Sequence, residues 1–161
     1  MVQPPEDVLG VSCQLTYSSE PWKCIFGAYR IPFLETNYML VSAQFDSYQL
    51  GQDLDSSKPQ TAREIAFADS FGEAMKNTFA TLEEVPKIGW LHYSLPCFDH
   101  AISTSSSFFS VEDENGVTWE KALSLFLDDV SANVDLVDKC SDGYEKCTSL
   151  SGCVRQLWSH K

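Results

Sequence analysis

From Tyr38 to Ala43 the chain reads YMLVSA, almost uninterruptedly apolar and without a helical stripe. A run of this kind suits a strand covered on both faces, as in a parallel sheet flanked by helices. It stops abruptly at Phe45-Asp46-Ser47-Tyr48. A carboxylate therefore stands at the carboxyl end of the strand, where open α/β sheets keep their ligand crevice. Asp46 is a candidate for chemistry on that ground. The competing reading of the same position is a helix N-cap or a turn aspartate.

A second strand is expected from Ile88 to Leu95, IGWLHYSL, running into turn chemistry at Pro96-Cys97-Phe98-Asp99-His100. Between the two strands, residues 51–60 (GQDLDSSKPQ) read as a polar loop. Thr61-x-x-Glu64 is a capping-box signature for a helix. Ile65, Ala68, Phe71, Met75, Phe79 and Leu82 then recur at helical spacing and form one core-facing stripe. Glu83-Glu84-Val85-Pro86 ends it. Strand, helix, strand implies a right-handed parallel crossover with both strand ends on one sheet edge.

Asp46 and His100 are thereby brought to the same edge. Acid after one strand and histidine after a later one is the chain order of the α/β-hydrolase triad, Ser…Asp…His. In that arrangement the acid orients the imidazole and the imidazole takes the nucleophile's proton. Carboxylate and ring should then face each other near hydrogen-bond range. His92 lies inside a strand and reads as structural, and His160 is terminal. No G-x-S-x-G is present; Gly10-Val11-Ser12-Cys13-Gln14 lacks the second glycine and the preceding strand. The serine should come before the acid, upstream of what this chain contains.

Elsewhere the punctuation is local. Residues 1–12 read as an extended entry segment, because Pro4 and Pro5 oppose helix. Cys13 and Cys24 bracket a short polar loop suited to one disulfide, which in the chain-entropy model contributes roughly 3 kcal/mol. Residues 103–117 are rich in serine, acid and glycine, and Thr118 caps a helix whose buried stripe is Trp119, Ala122, Leu123, Phe126 and Leu127. Cys140, Cys147 and Cys153 fall in a small, loop-rich C-terminal region. Together with Cys97 they should form two bridges, one of them tying Cys97 to a member of that C-terminal group.

Composition narrows the classes. The 161 residues have the length of one domain. With 23 acidic against 11 basic residues the net charge is −12, which repels nucleic acid and anionic membranes. No apolar run has the length of a membrane span. Six cysteines argue for a disulfide-permissive compartment, yet the N-terminus MVQPPEDVLG has no secretion-signal pattern. The two are compatible if the chain is a piece of a longer precursor. A zinc site built from Cys97-x-x-His100 with Cys140, Cys147 and Cys153 is a rival reading, but the last three are spaced unlike standard knuckles. Cys97 as a nucleophile is disfavoured, because an even cysteine set favours pairing.

The segments CQLTYSSEPWKCIFG, AQFDSYQL, CFDHAIS and LVDKC…C…C, in this order, resemble the C-terminal part of the Notum / pectin acetylesterase family. The resemblance covers most of residues 13–153. It implies a secreted α/β-hydrolase carboxylesterase that removes O-linked acyl groups from a polysaccharide or a lipidated protein, as a monomer and without cofactor or metal. Asp46 in F-D-x-x-Q-L matches the triad acid, and His100 in C-x-x-H matches the triad histidine. Ile25 and Phe26 match a pair that is aromatic in Notum and lines its acyl pocket; isoleucine at the first of them departs from that pattern. Residues 1–161 are thus expected to be the C-terminal part of one α/β-hydrolase domain, a parallel sheet with flanking helices and disulfide-stabilised loops. The half bearing the nucleophile would be absent. A non-catalytic, disulfide-stabilised extracellular binding domain is the competing class.

Overall fold

Among the described residues, three short strands form a parallel sheet in the order of the chain: β1 (Tyr38–Ala43), β2 (Trp90–Leu95) and β3 (Asn133–Val137). This computed structural model describes residues 10–56, 58–83, 89–100 and 107–150. β1 and β2 run in register from Tyr38 opposite Trp90 to Ala43 opposite Leu95. β3 pairs on the other side of β2, with Trp90 opposite Asn133. Every residue of the central strand is buried, His92 and Ser94 included, as expected of a strand covered on both faces. The parallel α/β sheet expected for β1 and β2 is therefore present. β3 was not expected: its exposed Asn133 and Asp135 alternate with half-buried Val134 and Leu136, a pattern too short to stand out.

Helix α4 (Ala62–Glu83) joins β1 to β2. The capping box is formed reciprocally: Glu64 N donates to Thr61 Oγ1 at 3.3 Å, and Thr61 N donates to Glu64 Oε2 at 2.8 Å. Ala68, Phe79 and Leu82 of the predicted stripe are buried. Helix α6 (Trp119–Asp128) follows β2, with Thr118 Oγ1 accepting from Lys121 N at 3.2 Å. Ala122 is buried and Trp119 and Phe126 pack on the sheet core. Leu127, expected in that stripe, is 65% exposed. It lies one residue past Phe126, about 100° around the helix, and so leaves the core-facing side.

The two helices cover opposite faces. His92 and Tyr93 are consecutive on β2 and so point to opposite sides. Phe79 of α4 meets His92 at 5.3 Å between ring centroids, and Trp119 of α6 meets Tyr93 at 6.2 Å.

Where loops were expected, short helices appear. α1 (Val11–Thr16) and a 3-10 turn at Pro21–Ile25 occupy the end of the entry segment and the loop closed by Cys13–Cys24, and α2 (Gly27–Arg30) follows that loop. Both cysteines are buried with Tyr17 and Phe33 packed on them, so tertiary packing rather than periodicity organises this part. Residues 1–9 of the expected extended segment lie outside the described residues. α3 (Ser47–Leu54) takes up the first part of the expected 51–60 loop. α5 (Ser107–Ser110) and α7 (Tyr144–Leu150) are likewise additional. α7 is held by Asp69 of α4, whose Oδ1 accepts from Tyr144 N at 2.6 Å.

Cys140 and Cys147 form a disulfide with each other. That corrects any expectation of Cys97 bonded to either of them. Cys97 is itself disulfide-bonded, and Cys153 lies outside the described residues. Disulfide sulfurs are not thiolates, so Cys97, Cys140 and Cys147 cannot serve the zinc reading. No helix among the described residues is long and apolar enough to cross a membrane.

Candidate functional site

The ladder between β1 and β2 continues past the strands. Gln44 N donates to Leu95 O at 2.7 Å, Phe45 N to Cys97 O at 3.2 Å, and Ser47 N to Asp99 O at 3.1 Å. Parallel pairing thus carries both strand-end turns forward side by side, and Asp46 and His100 emerge at the same edge. Gln44, fully buried, ties in the third strand: its Nε2 donates to Ser94 O at 3.3 Å and Asp138 O at 2.6 Å.

A hydrophobic cluster underlies the two turns. Phe45 and Phe98 both meet the Tyr144 ring edge-on, at 5.3 and 5.7 Å. Leu50, Ala68 and Cys147 complete the cluster, so α3, α4 and α7 all bear on the turn that carries Asp46. Gly72 of α4 is what lets Phe45 lie against that helix. A Cβ there would sit 2.5 Å from Phe45 Cε1. Burial pushes the Tyr144 phenol up to about 12, which keeps it neutral in this cluster.

His100 Nδ1 lies 2.8 Å from Asp46 Oδ2. The aspartate side chain is 11% exposed and the histidine side chain 54%. The other carboxylate oxygen, Oδ1, accepts from Gln49 N at 2.9 Å and caps α3. The capping reading of Asp46 is thus realised on one oxygen, while the other meets the histidine. Asp99 Oδ1 accepts from His100 N at 2.7 Å, and the Tyr48 ring stands 5.2 Å from the imidazole with a 32° tilt. With Nδ1 held by the carboxylate, Nε2 is the ring nitrogen turned away from it. Such a pair can orient one imidazole tautomer and pass a proton at Nε2.

Ile25 and Phe26 are 60% and 53% exposed at the end of the 3-10 turn, with the Phe26 ring edge-on to Trp22 at 6.0 Å. Among the described residues no hydrogen bond or ring contact joins them to Asp46 or His100. His92 is fully buried, stacked on Trp90 at 4.2 Å, with Nε2 3.2 Å from the Tyr38 hydroxyl. Burial pushes its imidazole down to about 4, so it is neutral and structural, in line with its place inside a strand. Tyr48, Gln44 and Gly72 were not singled out from sequence. Only Gly72 left a signal there, as a glycine in the middle of a strong helical stripe.

The model of the pectinacetylesterase family matches residues 5–148. Among solved structures, the Wnt deacylase Notum from Drosophila is similar in two crystal forms. One has a TM-score of 0.69 at 19% identity, over 81% of this chain and 35% of that one. The other has a TM-score of 0.66 at 21% identity, over 86% of this chain and 36% of that one. The chain thus spans about a third of the length of these structures, and the likeness establishes the α/β-hydrolase fold. No curated protein matches in sequence. Because the family match spans residues 5–148, most of the chain, the chain belongs to the pectinacetylesterase family.

Proposed function

We propose that Asp46 and His100 are the acid and the base of a serine carboxylesterase that removes O-linked acyl groups. The nucleophile would come from chain outside these 161 residues, which contain no G-x-S-x-G. In this reading residues 1–161 are the C-terminal part of the hydrolase domain. The observation that carries the reading is the 2.8 Å contact between His100 Nδ1 and Asp46 Oδ2 at the carboxyl ends of adjacent parallel strands.

His100 Nε2 accepts the serine proton as the serine oxygen attacks the acyl carbonyl. Asp46 stabilises the imidazolium so formed. The same proton passes to the departing alcohol oxygen, leaving an acyl-enzyme. Water, deprotonated by Nε2, then releases the carboxylic acid and restores the serine. The substrate class is an O-acylated polysaccharide or a lipidated protein, and exposed Ile25 and Phe26 are the residues proposed to meet the acyl chain. The disulfides support an extracellular setting.

The test is reconstitution. The 161-residue chain alone should neither hydrolyse a short-chain aryl ester nor react with a fluorophosphonate. A longer chain that restores the upstream half of the domain should do both, and H100A in that chain should abolish turnover. Turnover that survives H100A, or a longer chain that stays inactive, overturns the reading in favour of a binding domain.

A further inference from the structure

We propose that Tyr48 is a positioning residue for His100, its ring fixing a rotation of the imidazole that the Asp46 contact leaves open. The proposal rests on the reading of His100 as the base. One hydrogen bond at Nδ1 anchors a single point of the ring, and the imidazole can still swivel about that bond and carry Nε2 with it. The core does not prevent this, because the His100 side chain is 54% exposed. Among the described residues, the ring that lies against it is Tyr48, at 5.2 Å between centroids and tilted by 32°, within the range of aromatic pairs.

Burial does not account for Tyr48 at that place, since it is 60% exposed. The backbone does. Tyr48 lies in the first turn of α3, whose cap is Asp46. Acid and aromatic face are thus carried by one turn, and the bond from Ser47 N to Asp99 O holds that turn against the histidine turn. Among the described residues, the groups that meet His100 are Asp46 at Nδ1, Asp99 at the backbone amide, and Tyr48 at the ring. An aromatic face also favours the imidazolium that forms when the serine proton is taken. The contact uses the ring and not the hydroxyl, so phenylalanine should replace tyrosine and leucine should not.

The experiment is NMR of the 161-residue chain with labelled histidine. In the unsubstituted protein, Tyr48 ring protons should show cross-relaxation to the His100 ring protons; its absence overturns the proposal. In Y48L the His100 ring protons should move downfield and its Nδ1 proton should exchange several-fold faster, while Y48F keeps both signals. His92 signals, deep in the sheet, report that the fold is intact. His100 signals in Y48L that match the unsubstituted chain also overturn the proposal. In the longer esterase, Y48L should lower kcat roughly tenfold with KM unchanged, and Y48F should restore it. D46N separates the two readings. If it leaves the Nδ1 proton unaltered, it is the acid–base pair that fails, whatever Tyr48 does.

Discussion

The backbone amide of Ser47 donates to the carbonyl of Asp99 at 3.1 Å, beyond the last paired residues of β1 and β2. This bond makes the acid turn and the histidine turn one unit. Asp46 and His100 meet at the end of this ladder.

The two contacts of Asp46 separate its capping role from its proposed role as the acid. D46A removes both the α3 cap and the histidine partner, and should cost about 1 kcal/mol of stability. D46N keeps an oxygen for Gln49 N and should cost little. In the longer chain, on the proposed function, both should lower turnover by on the order of 10³–10⁴-fold. Denaturant midpoints and turnover measured on the same pair of variants check this. Equal stability losses for the two would sink the capping role.

G72A should destabilise, against the usual trend. Alanine in a helix interior ordinarily gains about 0.5–1 kcal/mol over glycine. Here the added Cβ would meet the buried Phe45 ring at 2.5 Å. Overpacking of this kind costs about 1–3 kcal/mol, so a net loss is expected. A double-mutant cycle with F45L should show coupling, with the loss from G72A shrinking once the ring is gone. Additive effects would mean that the ring is not the obstacle.

His92 should make the fold sensitive to acid. Its folded value lies near 4 because burial disfavours the charged form, against an ordinary value of 6.5. Between those values the unfolded chain binds a proton that the folded chain does not. Stability from this site is therefore complete above pH 6.5 and falls as pH drops toward 4. The slope approaches about 1.4 kcal/mol per pH unit. Urea unfolding across that window should be flatter for H92F than for the unsubstituted chain. Parallel curves would contradict it.

Non-reducing peptide mapping should recover Cys13–Cys24 and Cys140–Cys147, and should join Cys97 to Cys153, the one cysteine remaining. A Cys97–Cys140 or Cys97–Cys147 peptide would contradict the pairing. C147S should cost about 2.5 kcal/mol in the chain-entropy model. It should also loosen the cluster beneath Phe45 and Phe98.

Much of this was legible in the residues. The run at Tyr38–Ala43, the Thr61–Glu64 box and the Thr118 cap each place an element within a residue or two, because their causes are local: a continuous apolar run, periodicity and a side chain satisfying nearby amides. Two parallel strands in succession put Asp46 and His100 on one edge before any distance was known. Neither the third strand nor the last helix could be read that way. β3 is five residues with polar alternation, and its stability comes from pairing with β2, far away in the chain. α7 is held by Asp69 of α4 and by a disulfide. The same holds at the site, where the 2.8 Å contact, the shared use of the Asp46 carboxylate and the Tyr48 ring over His100 all depend on register between distant segments. Sequence alone determined which residues could cap, pair and carry a proton. Tertiary structure decided which of them meet, because contact between residues more than fifty apart is set by strand register and packing, which no local pattern encodes.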